Sequence, residues 1–188
     1  MSAFPPSVCV FCGSRPGTDP AMMQAARETG ALLARRGWRL VYGAGDIGLM
    51  GETARSAQAA GGRTFGVIPT HLMQGEVARA GLDALVITET MHERKKVMFA
   101  NSHAIAVLPG GAGTLDEFFE VVTWAQIGLH RKPVVLLDVN GFWQPLLALI
   151  EHVIQQGFAP AMLRDLVIVV PNVAAMEQAL AAHLPVAA

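Results

Sequence analysis

The densest collection of chemistry-bearing residues is Pro109-Gly110-Gly111-Ala112-Gly113-Thr114-Leu115-Asp116-Glu117. Its three glycines admit backbone conformations closed to residues with a Cβ, so successive N–H groups can converge on an anion where a helix begins and its dipole is positive. No Gly-Lys-Ser/Thr follows, which excludes a Walker loop for a nucleotide's terminal phosphate and its magnesium. The pattern points to a smaller phosphorylated ligand, a nucleoside monophosphate or a sugar phosphate. Thr114 and Glu117 also fit a capping box, with Thr114 as N-cap and Glu117 as its partner three residues on. Both readings hold together: a carboxylate in a first helical turn is expected to be ionised, which suits stabilising a cation or activating water and not acting as a general acid.

Met91-His92-Glu93-Arg94-Lys95-Lys96 is the densest basic cluster. A solvated helix face is the plain reading, but at helical spacing Arg94 shares a stripe with Met91, Met98 and Asn101, while Glu93 and Lys96 turn elsewhere. An arginine on an apolar stripe needs a partner, and its planar fork suits a phosphate, a carboxylate or a departing base. Arg94, with Lys95 beside it, is therefore an expected anchor of a ligand crevice.

Gly43-x-Gly45-x-x-Gly48 has the dinucleotide-binding spacing, yet the following strand ends Phe65-Gly66-Val67-Ile68-Pro69 without the acidic residue that would hold ribose hydroxyls. A tight turn approaching a phosphorylated ligand is the expectation. Gly43 and Gly45, with Gly13 and Ser14 of an earlier turn, are candidate phosphate or ribose contacts. Cys9 and Cys12 have C-x-x-C spacing, but at strand spacing they face opposite sides and read as two buried thiols. The six histidines show no clustered ligand spacing, so no metal is expected.

These groups must be positioned by a scaffold. Short apolar runs at 8–12, 39–42, 64–68, 85–87, 104–108, 134–137 and 166–170 read as strands buried on both faces. Amphipathic stretches at 20–36, 49–60, 91–102, 114–127, 142–156 and 173–183 read as the helices between them. Alternation of this kind predicts an α/β fold: one Rossmann-like, doubly wound parallel sheet of about seven strands with helices on both faces, a single domain over residues 1–188. In such sheets the strand-to-helix turns meet the ligand, and the three glycine-bearing turns should face one crevice.

Composition agrees. The 188 residues are 52% hydrophobic and only 15% charged, which excludes disorder, and no apolar run approaches the roughly 18 residues of a membrane span. A net charge of −1 argues against nucleic acid or an anionic membrane as partner. The first residues lack a signal peptide's basic and apolar regions, so a cytoplasmic location is expected. The apolar excess leaves helix surface to be buried between subunits, predicting a homodimer.

The segment 109–117 resembles the PGGxGTxxE signature of the LOG (Lonely Guy) family, whose members once carried a lysine decarboxylase label. Val8-Cys9-Val10-Phe11-Cys12-Gly13-Ser14, Tyr42-Gly43-Ala44-Gly45 through Gly48-Leu49-Met50-Gly51, Gly66-Val67-Ile68-Pro69, Met91-His92-Glu93-Arg94-Lys95 and Val122-Thr123-Trp124-Ala125-Gln126 also resemble family segments, in family order, over about residues 6 to 180. The resemblance implies a cytokinin riboside 5′-monophosphate phosphoribohydrolase without a cofactor. It would cleave the N-glycosidic bond of N6-modified AMP to free base and ribose 5-phosphate. By position it implies Arg94 and Glu117 as the catalytic pair and Glu76, Lys95, Gly110, Gly111, Ala112, Gly113, Thr114, Leu115, Asp116 and Thr123 as substrate contacts.

Two rival readings share the same residues: a broader nucleosidase acting on AMP and other nucleoside 5′-monophosphates, and a non-catalytic binder of a nucleotide or sugar phosphate. Met22, Met23, Met91, Met98 and Trp124 are candidate linings of a base pocket. A pyridoxal-dependent decarboxylase would need a Schiff-base lysine, and the chain has three lysines, Lys95, Lys96 and Lys132.

Overall fold

A computed structural model describes residues 5–73 and 81–184. The apolar runs pair side by side because each is buried on both faces and carries its own ladder of N–H and C=O groups that must be satisfied. β1 (Ser7–Phe11) is central, flanked by β2 (Arg39–Tyr42) and β5 (Ala104–Val107). β3 (Thr64–Pro69) and β4 (Ala84–Thr88) extend the sheet beyond β2, and β6 (Val134–Leu137) and β7 (Ile168–Val170) extend it beyond β5. All neighbours are parallel, and the spatial order is β4-β3-β2-β1-β5-β6-β7.

Helices cover both faces, as the alternation predicts. α1 (Pro20–Arg35), α2 (Gly48–Ala59) and α6 (Val173–Ala181) pack on one layer of side chains that includes Val8, Val10 and Cys12. α3 (Met91–Ala100), α4 (Ala112–Gln126) and α5 (Gln144–Gln155) pack on the other, which includes Cys9 and Phe11. The two thiols are therefore buried, free and on opposite sides of the sheet. Among the described residues no helix is long and apolar enough to cross a membrane.

The chain moves outward from β1 to β4 and then returns to β5, so the strand order reverses between β1 and β5. Loops leave these two strands in opposite directions there and open a crevice beyond their carboxyl ends. Most boundaries shift from the sequence reading by one or two residues, and three of the differences have a local cause or consequence. The segment Ala161–Leu166 winds as a 3-10 turn, which shortens β7 at its start. α5 begins at Gln144 and not at 142, because Asp138 accepts the Trp143 N–H at 2.7 Å and Asn140 takes a left-handed conformation (φ 51°) between them. α4 begins two residues earlier than its expected threonine cap, with consequences for the site.

Candidate active site

The capping box expected at Thr114 and Glu117 forms elsewhere, at the start of α3. Thr90 Oγ1 accepts the Glu93 N–H at 3.2 Å, and Glu93 Oε2 accepts the N–H groups of Thr90 and Glu89 at 3.0 and 2.9 Å. This reciprocal pairing fixes where α3 starts and hence which residue turns inward one turn later. That residue is Arg94, only 5% exposed. Its Nη2 donates to the Gly43 carbonyl at the end of β2 at 2.9 Å, and its Nε donates to the Val67 carbonyl in β3 at 3.2 Å. Two carbonyls, one just beyond β2 and one in β3, hold the fork, and their lone pairs compensate the burial of its charge.

Gly43 is a glycine because Arg94 occupies the space of a side chain: a Cβ there would lie 1.8 Å from Nη2. Gly45 donates its N–H to Met50 Sδ at 3.2 Å. Gly48, at φ +59°, lets the backbone of Ser14 and Arg15 approach so closely that a Cβ would fall 2.3 Å from the Ser14 carbonyl carbon. The dinucleotide-like spacing thus serves internal packing, and neither Gly43 nor Gly45 lines the cavity described below.

The second loop is braced on the first. Gly13 donates its N–H to the Pro109 carbonyl at 3.0 Å, and Met50 donates to the Gly13 carbonyl at 3.2 Å. Gly111 is the N-cap of α4 and offers no side chain, so the first N–H groups of this helix have no side-chain cap. The three loop glycines differ in kind. A Cβ on Gly110 would sit 2.1 Å from Thr114 Oγ1, whereas Cβ atoms on Gly111 and Gly113 would meet nothing within 4 Å. Neither Gly111 nor Gly113 has a positive φ. Protein packing explains Gly110 alone; the other two face open space at the positive end of a 15-residue helix.

Because α4 starts at Ala112, Glu117 lies beyond the first helical turn and points into the structure, 9% exposed. The expectation of a readily ionised carboxylate is overturned. Burial raises Glu117 from 4.5 to about 7; Arg94 and Lys95 pull it down, and the neighbouring charges of Asp116 and Glu120 push it up. A carboxyl balanced near neutrality can hold or accept a proton, which is the property wanted of a general acid–base group.

Arg94, Glu117 and the loop 110–114 line one cavity of about 700 Å³, a size ordinary for small-molecule sites. Gly13 and Ser14 also line it, so the structure brings together the turns after β1 and β5. Lys95, Leu115, Asp116 and Thr123 do not line it. Lys95 Nζ is bound by Asp116 at 2.9 Å and Glu120 at 3.1 Å, and Thr123 is exposed on α4. Glu76 lies outside the described residues. Of the expected base-pocket linings, Met22 and Met91 contribute; Met98 is wholly buried in the core and Trp124 packs edge-on against Phe99.

Sequence reasoning missed Thr18, Asp19 and Phe142 and gave no role to Arg15, all on the cavity wall. Arg15 was within reach of the crevice rule, standing next to Ser14 in the turn after β1. Asp19 and Phe142 are joined indirectly: Asn140 Nδ2 donates to Asp19 Oδ2 at 2.8 Å, tying the turn after β6 to the turn after β1. No local pattern signals a bond between residues so far apart in the chain. No lysine lines the cavity, and Lys132 Nζ is held by the Phe99 carbonyl. The described cavity therefore does not fit a pyridoxal cofactor, which would need a lysine in reach.

The switch-point crevice, the open glycine loop and the buried Glu117 and Arg94 on one cavity wall define a doubly wound α/β protein with a candidate site beyond the carboxyl ends of β1 and β5. A family model described as "Possible lysine decarboxylase" matches residues 50–180. The chain belongs to this family. It is 45% identical over 170 residues to a cytokinin riboside 5′-monophosphate phosphoribohydrolase of Rhodococcoides fascians, covering 90% of this chain and 86% of that protein. It is 44% identical over 179 residues to a probable enzyme of the same name from Oryza sativa subsp. japonica, covering 95% and 79%. Among solved structures it is similar to the molybdenum cofactor carrier protein of Chlamydomonas reinhardtii, with 28% identity, a TM-score of 0.70 and coverage of 95% and 99%.

Proposed function

We propose that this protein hydrolyses the N-glycosidic bond of cytokinin riboside 5′-monophosphates, releasing the free base and ribose 5-phosphate. The observation that carries the reading is the pair of open glycines, Gly111 and Gly113, at an uncapped helix start one and a half turns from the buried carboxyl of Glu117. N–H groups of the loop receive the 5′-phosphate, which sets the ribose over Glu117. The C1′–N bond breaks with its electron pair going to the base, and positive charge develops on the sugar as in glycoside hydrolysis. Ionised Glu117 stabilises that charge and takes a proton from the water that attacks C1′, while the departing base takes up a proton from solvent. Arg94 keeps Glu117 ionisable against its burial.

The cavity also has an apolar wall of Met22, Leu49, Met50, Leu72, Met91 and Phe142, which suits an isoprenoid group on the base. The names of the two phosphoribohydrolase relatives support the same substrate. Two free buried thiols accord with a reducing cytoplasm. Phe119, Ile127 and Leu129 are exposed on and just after α4, which supports a homodimer. In that assembly Thr123, exposed on the same helix, is a proposed contact to the substrate of the second copy. Glu76 is retained as a proposed contact.

The test is incubation with N6-isopentenyl-AMP and, separately, AMP. Faster release of free base from the isopentenyl nucleotide supports the reading. Equal release points to the broader nucleosidase, and release from neither to a binding protein.

A further inference from the structure

Among the described residues, Lys95 is the one buried cation near the site whose charge the mechanism above leaves without a task. It follows Arg94 on α3, its side chain is 6% exposed, and it does not line the cavity. Its ammonium bridges to α4, reaching Asp116 Oδ2 at 2.9 Å and Glu120 Oε1 at 3.1 Å. Asp116 precedes Glu117 and Glu120 follows it by nearly one helical turn, so the two bridging carboxylates share one face of α4 and the bridge runs alongside the catalytic carboxyl. We propose that Lys95 is a positioning residue: it clamps α3 to α4 and neutralises the two carboxylates that neighbour Glu117. The inference rests on the hydrolytic role given to Glu117 above.

Geometry and charge argue in the same direction. Burial alone would push Lys95 down, but the hydrogen bonds and charges of Asp116 and Glu120 outweigh it and hold the ammonium above its ordinary range. Two of the ammonium's three N–H donors are committed to the two carboxylates, which ties it to the bridge between the helices. The groups acting on Glu117 are Arg94 and Lys95 from α3 and Asp116 and Glu120 from α4; the thiols of Cys9 and Cys12 on the β1 side feel its charge in turn. Without Lys95, two anions would face Glu117 with only Arg94 to offset them. The carboxyl would then stay protonated to higher pH and the base form would become scarce.

The experiment reads Glu117 directly, by following its side-chain carboxyl carbon by NMR as pH varies, in wild type and in Lys95→Met, Lys95→Arg and Asp116→Asn/Glu120→Gln. The expected midpoint rises by roughly one pH unit in Lys95→Met, stays near wild type in Lys95→Arg and falls in the double variant. The double variant answers the question even if Lys95→Met does not fold. In steady state, Lys95→Met should lower kcat at neutral pH and move the acid limb upward, with KM for isopentenyl-AMP within about twofold of wild type. An unmoved midpoint in the folded variants, or a KM raised tenfold or more at unchanged kcat, would overturn the proposal. Because the NMR midpoint does not depend on turnover, a wild-type protein that releases no base defeats the functional reading and leaves the Lys95 measurement decisive on its own terms.

Discussion

Replacing Glu117 with glutamine should stabilise the protein at alkaline pH and leave its stability unchanged in acid. A carboxyl raised in the folded state gains nothing from burial once the unfolded chain can ionise. Below pH 4.5 both states hold the proton and the residue is neutral in each. Between 4.5 and about 7 the unfolded state ionises while the folded state does not. Stability then falls by about 1.4 kcal/mol for each pH unit, on the order of 3 kcal/mol in all by pH 8. Glutamine has the shape of the protonated acid and carries no such penalty. Urea unfolding of both proteins at pH 4.5, 6 and 8 isolates the effect, since other titrating groups largely cancel in the difference. The gain should be near zero at pH 4.5, intermediate at pH 6 and largest at pH 8. A difference that does not depend on pH, or a variant less stable than wild type at pH 8, would refute the claim that burial controls this carboxyl.

Gly43→Ala should behave like an active-site lesion although Gly43 does not line the cavity: its Cβ would lie 1.8 Å from Arg94 Nη2, and steady-state kcat should fall about 100-fold, approaching the loss in Arg94→Ala. Wild-type kcat in Gly43→Ala would show that the carbonyl-held pose of Arg94 is irrelevant to turnover. The loop glycines should separate into two kinds when stability and KM are measured together. Gly110→Ala meets Thr114 Oγ1 at 2.1 Å and should cost about 1–3 kcal/mol. Gly113→Ala should stabilise α4 by about 0.5–1 kcal/mol yet raise KM at least tenfold by filling the phosphate space. Finding KM unchanged in Gly113→Ala would remove the phosphate from this loop.

The architecture was legible because both-face burial leaves a strong signal: runs such as 104–108 and 134–137 have strand length and no polar interruption. Arg94 was legible for a related reason, since a lone charge on an apolar stripe must meet something; it lines the cavity as expected, and what the sequence did not show is that two backbone carbonyls hold it there. The capping box was misplaced because Thr90-x-x-Glu93 and Thr114-x-x-Glu117 are locally equivalent, and only the sheet decides which threonine stands at a helix start. The same limit hid the state of Glu117. Its sequence position promised ionisation by a helix end; its burial, a tertiary property, reversed the balance. The glycines of 43–48 matched a ligand-binding spacing, but the space they leave is taken by Arg94 and by the turn at Ser14 and Arg15. Asp19 and Phe142 reach the cavity through a contact across the crevice that no local window contains.

The most direct test of the central claim is to identify the products of a single turnover of N6-isopentenyl-AMP on the wild-type protein. The account predicts free isopentenyladenine and ribose 5-phosphate in equal amounts, with neither formed by Glu117→Gln. Isopentenyladenosine and inorganic phosphate, or equal turnover by the Glu117→Gln variant, would contradict it.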